Sequence, residues 1–171
     1  MIIYYRHLLA ALSLVLLPCA ARAQSNAAKS DPIQQENALV AQARAAARAN
    51  DDSATDRLLQ TPTSLPGSPA PSALFARRAA MLCACLQNED DRPRALNVAR
   101  RIVAQLASLQ ESTDDDREER LYWEACLEAH ILDHKVRAIA LLRTAEKIRP
   151  NDARVTDLEL SLVSALNAFG H

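Results

Sequence analysis

From Gln34 to about Asn50, alanines with Leu39 and Val40 recur at helical spacing and predict a first helix. Asn50, Asp51 and Asp52 make a turn. Ser53 with Asp56 has the spacing of a capping box and opens a short second helix bearing Leu58 and Leu59. Residues 61–72 hold Pro62, Pro66, Pro69, Pro71 and Gly67, a composition that stops helices and predicts a stiff, extended linker. A helix is expected from about Ser72 to Gln87. After a turn at Asn88 to Asp91, Pro93 suits the first turn of a helix carrying Ala95, Val98, Ala99, Ile102, Val103 and Leu106. The next helix starts near Asp116 and passes Trp123 and Ile131 before Asp133 and His134 break it. Val136, Ile139, Leu142 and Ala145 mark another helix, closed by Pro150, and Ala153 to Phe169 marks the last. No segment alternates apolar and polar residues as a half-buried strand does, so the fold class is all-α.

The amino terminus differs in kind. Leu8 to Leu17 is an apolar run of signal-core length, preceded by Arg6 and followed by the small-x-small site Ala21-Arg22-Ala23. Residues 1–23 are expected to be a signal peptide cut after Ala23, which predicts a periplasmic or secreted protein with no stable membrane insertion after cleavage. An uncleaved anchor is disfavoured by the short run. Lipidation of Cys19 is disfavoured by Pro18. Residues 24–33 read as a polar, disordered tail, 34–60 as an N-terminal helix pair, and 73–171 as the main helical domain. Losing Arg6 and Arg22 makes the formal net charge of −1 two units more negative, which argues against nucleic acid as a partner.

Two short segments recur. Arg94-Ala95-Leu96 returns as Arg137-Ala138-Ile139, and Ala84-Cys85-Leu86 returns as Ala125-Cys126-Leu127, at offsets of 43 and 41 residues. Self-similarity at this period indicates stacked helix pairs. The stretch Glu119–Asp152 resembles a tetratricopeptide repeat. Tyr122 fits the large aromatic of the first helix and Cys126 its small position. Ala129 follows, Ala138 and Ala145 fit the small sites of the second helix, Leu142 lies between them, and Pro150 closes the unit. A worn unit lies near Ala76–Ala107. Another, near Gln35–Pro66, departs from the pattern at Gln42. The resemblance implies a short right-handed superhelical array of antiparallel helix pairs with a C-terminal capping helix. It also implies a protein–protein interaction module that takes a peptide or a helix in a concave groove. By matching positions, Arg120, Trp123, Leu127, His130 and Ile131 would line that groove from one unit, and Arg77, Ala80, Ala84 and Gln87 from the preceding one. Trp123 is the expected anchor, burial under the last helix being the alternative.

Candidate chemistry is sparse. There is no glycine-rich phosphate loop, nucleophile elbow, H-E-x-x-H or C-x-x-C, so neither enzyme activity nor a cofactor is expected. Cys126, His130 and His134 follow an i, i+4, i+8 spacing, within about 80° on a straight helix, and form a candidate zinc or copper stripe. In an oxidising compartment a disulfide from Cys126 to Cys85 or Cys83 is expected; three buried free thiols are the alternative. The acidic run Asp114-Asp115-Asp116 with Glu118 and Glu119 reads as a solvated loop at a helix start, a calcium site being the alternative. The apolar last helix could cap the stack or build a homo-oligomer.

Overall fold

The computed structural model describes residues 32–62, 71–109 and 113–169. The proposed signal peptide lies outside them, as does most of the 24–33 tail. Among the described residues the chain is all-helical, without a strand. Seven α-helices follow one another: α1 (Pro32–Arg48), α2 (Asp52–Leu59), α3 (Pro71–Asn88), α4 (Arg92–Leu106), α5 (Asp114–Cys126), α6 (Lys135–Ile148) and α7 (Ala153–Phe169). A π turn, Leu127–Ile131, prolongs α5. None of these helices is long and apolar enough to cross a membrane.

Helix starts follow side-chain chemistry, with adjustments to the expected bounds. Pro32 and Ile33 are already helical, as are Pro71 and Ser72 of the proposed linker; proline's fixed φ suits a first turn. The cap of α2 is Asp51, which accepts the Ala54 N–H at 2.8 Å, and not Ser53. Thr113 caps α5 by accepting the Asp116 N–H at 3.1 Å, and three aspartates then sit where the helix dipole favours anions.

The turns share one design. Asn50, Asp90, Asp133 and Asn151 take φ of 57°, 60°, 60° and 68°. Asn and Asp visit this left-handed region more readily than other non-glycine residues. The residue after each of the first three closes the preceding helix: Asp51 N–H on Ala46 O (3.0 Å), Asp91 N–H on Leu86 O (2.9 Å), His134 N–H on Glu128 O (2.7 Å). The third closure spans one residue more. The π turn absorbs it, with the Leu132 N–H on Leu127 O at 3.0 Å.

Helices pack as neighbours in sequence, α1 with α2, α3 with α4, α5 with α6, and α6 with α7. The first members of the pairs also touch, α3 lying between α1 and α5. One apolar core runs through α1 to α4, from Val40 through Phe75 and Leu82 to Ile102, and takes in Leu127 and Ile131. Residues before and after the linker share this core, and 31–171 form one compact unit. A second core holds Leu121 and Ala125 of α5, Leu142 and Ala145 of α6, and Val155 and Leu162 of α7. The recurring alanines sit at the closest contacts. Ala95 and Ala138 are fully buried, since a short side chain lets helix axes approach to about 8 Å.

Candidate functional site

Polar ties set the register between successive pairs. Arg78, fully buried on α3, donates from Nε to Glu36 Oε2 (2.8 Å) and from Nη2 to Glu36 Oε1 (2.6 Å) near the start of α1. Its Nη1 donates to the Leu59 and Thr61 carbonyls, which the end of α2 leaves unpaired. At the far end of α1, Arg44 and Arg48 hold Glu89 just past α3, at 3.0 and 2.6 Å. Moving along α1 from Glu36 to Arg48, the partner moves from Arg78 of α3 to Glu89 just past its end, so α1 and α3 run the same way. Gln87 Nε2 donates to the His130 carbonyl at 3.3 Å and joins α3 to the π turn. On the other side of the stack, Arg101 of α4 grips Asp52 and Asp56 of α2.

This register exposes one stripe of α3. Arg77, Ala80, Ala84 and Gln87 are half-buried along it, between α1 and α5. From α5, Arg120 pairs with Glu124 and is nearly covered. Trp123 is half-buried and packs against the first core, whereas α7 contributes to the second. Its Nε1 donates to Glu119 Oε1 at 2.8 Å, and its ring meets Tyr122 edge-on at 5.2 Å. His130 is also half-buried, its Nε2 hidden and without a hydrogen-bond partner among the described residues, and burial lowers its pKa from 6.5. Two expected groove residues are not on this surface. Leu127 is fully buried and Ile131 is 4% exposed, both in the first core. The cause is that the π turn packs simultaneously on α3, α4 and α6.

The metal stripe does not form. The π turn breaks the straight-helix geometry that would align Cys126, His130 and His134. His134 Nδ1 lies 2.8 Å from Glu128 Oε2 at the start of α6, and Cys126 bonds Tyr122. Among the described residues no group of three His, Cys, Asp or Glu is placed to hold a metal ion. The expected disulfide of Cys126 with Cys85 or Cys83 is absent as well: all three thiols are free. Cys83 Sγ donates to the Ala95 carbonyl at 3.6 Å inside the first core. Burial pushes Cys83 and Cys126 up to about 12, so at neutral pH they are packed thiols rather than nucleophiles.

Three glutamates of α5 and the π turn are buried: Glu118, which belongs to the acidic run expected to be solvated, and Glu124 and Glu128, which had no expected role. Glu118 lies under Arg149 Nη1 (3.4 Å) and Arg154 Nη2 (3.8 Å); burial, then the Asp152 charge, raises its pKa. Glu124 meets Arg120 and Arg137. Glu128 meets Arg137 Nε and His134 Nδ1, each at 2.8 Å. Arg154 further stacks on Tyr122 at 5.0 Å and pairs with Glu119 and Asp152. These ties bind α5 to α6 and α7. The detectable signal was Arg137, which recurs at the position of Arg94, itself ion-paired to Asp91. Known protein families, known proteins and solved structures yield no match to this chain.

Proposed function

We propose that this chain is an exported, non-enzymatic interaction module, built as a tetratricopeptide-like stack of helix pairs. It holds a peptide or a helix of another protein across the face shared by α1, α3 and α5. The observation that carries the reading is the narrow range, 41 to 49 residues, of the side-chain ties between successive pairs. Bonded partners are 42 residues apart at Arg78–Glu36, 41 at Arg48–Glu89, 43 at Gln87–His130 and 45 at Gln105–Gln60. Similar spacing is what one supersecondary unit laid beside the next would give. The period exceeds the ~34 residues of a tetratricopeptide unit, and the surplus falls in the connectors 60–70 and 107–113. The contact surface is Arg77, Gln87, Trp123 and His130 around Ala80 and Ala84, with Arg120 at its edge and Leu127 supporting it from beneath. The apolar run near residue 10 and the Ala23 site support export.

The test is selection from a displayed peptide library, followed by titration against Ala84→Arg, which blocks the α3 stripe, and Arg100→Glu on exposed α4. Selected peptides should lose binding to the first variant and keep it for the second. Equal binding to Ala84→Arg and the unaltered chain would rule the face out.

A further inference from the structure

Glu118 lies where the end of α6 and the start of α7 close over α5. Its side chain is fully buried, and neither carboxylate oxygen has a hydrogen-bond partner among the described residues. Charged groups gather around it from every element packed there: Asp115 and Glu119 of α5, Arg149 at the end of α6, Asp152 in the turn and Arg154 of α7. Both guanidinium groups are already engaged. Arg149 holds Asp115 at 2.7 Å, and Arg154 holds Asp152 at 2.8 Å and Glu119 at 2.9 Å. They approach Glu118 only to 3.4 and 3.8 Å. Four carboxylates thus share two cations, and the most buried of the four is the worst paired.

A buried carboxylate without hydrogen bonds is costly in its charged form. Burial, then the Asp152 charge, accordingly raises the pKa of Glu118 above the ordinary 4.5. Asp152 moves the other way. The hydrogen bond from Arg154 holds it below 3.8, so its charge persists where Glu118 titrates. The cover over Glu118 is also lightly held. Among the described residues of α7 only Val155 and Leu162 are buried, whereas the shorter α4 buries six side chains. An element with so little buried apolar surface opens locally before the rest of the fold. Lifting it carries Arg154 away and lets water reach Glu118.

We propose that protonation of Glu118 tightens the seat of α7, so that the last helix lifts more readily at neutral pH than in mild acid. Docked α7 raises the proton affinity of Glu118, so a bound proton favours docking in return. The gain is absent above the raised docked value, grows as pH falls through it, and levels off below 4.5, where the lifted state is protonated too. The opening loosens the second core, to which α7 contributes Val155 and Leu162. It does not rest on the groove reading, which uses a different surface.

The experiment is hydrogen exchange of the full chain, followed by mass spectrometry of peptides from α7, beside Glu118→Gln and Glu119→Gln at matched pH. At neutral pH, α7 of the unaltered chain should exchange several-fold faster than α7 of Glu118→Gln, whose neutral amide stands in for the protonated acid. That excess should shrink as pH falls towards 4.5. Glu119→Gln, which neutralises a less buried carboxylate of the same cluster, should keep the pH dependence. Equal exchange at neutral pH, or slower exchange in the unaltered chain, would overturn the proposal, the latter because the charge would then be what holds α7. So would an excess that does not shrink in acid, or its disappearance in Glu119→Gln. Lost helicity of Glu118→Gln by circular dichroism would overturn it as well, since a neutral group would then not be tolerated beneath docked α7.

Discussion

Arg78 and Glu36 form a bidentate ion pair between α3 and α1, with the arginine side chain 1% exposed and the carboxylate 13%. The same guanidinium holds the end of α2 through the Leu59 carbonyl at 3.0 Å. One buried cation thus fixes three helices on either side of the proline-rich linker.

Arg78→Met removes that cation and leaves the Glu36 carboxylate and two carbonyls without it. Breaking a buried pair from one side costs about 3–5 kcal/mol. The urea midpoint should fall accordingly, and Glu36→Gln with Arg78→Met should recover part of the loss.

Leu127→Ala separates core from surface. A fully buried leucine truncated to alanine costs about 2–5 kcal/mol. Leu160→Ala, at an exposed position, should change monomer stability by less than about 0.5 kcal/mol. Thermal unfolding of the two variants checks the contrast.

His130 should give stability a pH dependence. Its folded pKa lies below the ordinary 6.5 because burial disfavours the charged imidazole. The unfolded chain therefore binds the proton more readily, and stability falls as pH drops through 6.5 until the folded group also protonates. Urea midpoints between pH 7.5 and 5, with His130→Gln as reference, should show a shallower fall for the variant.

Thiol reactivity should rank by burial. Cys85 is half-buried, while Cys83 and Cys126 are buried. A soluble thiol reagent at mildly alkaline pH should modify Cys85 first and reach the other two only on unfolding, as peptide mapping would report. Recovery of a Cys126 bridge from oxidised protein would contradict the free-thiol arrangement.

The helices were readable because apolar spacing, turn residues and prolines all agreed, as at Pro93 and Asp133. Leu127 was not placed correctly: with Trp123 and His130 it recurs at helical spacing, and spacing alone cannot say whether the stripe meets solvent or a neighbouring helix. The π turn left a faint trace, since the two recurring segments have offsets of 43 and 41 residues, and such a mismatch requires extra residues between them. Glu118 read as solvated because the cations covering it, Arg149 and Arg154, come from the end of α6 and from α7. The metal stripe failed because it assumed that spacing on a straight helix equals proximity, and the disulfide because an oxidising compartment does not bring thiols on separate helices together.

The paired turns and the short reach of the ties have a kinetic consequence. The side-chain ties between successive pairs join partners 41 to 49 positions apart. Each pair can therefore form its contacts soon after its own residues and those of its neighbour are available. Loop closure is cheap at such separations, and chains rich in local contacts fold quickly. Ordering should spread from one pair to the next and need no distant segment to wait for, so that an emerging chain can consolidate α1 to α4 before α7 has been made.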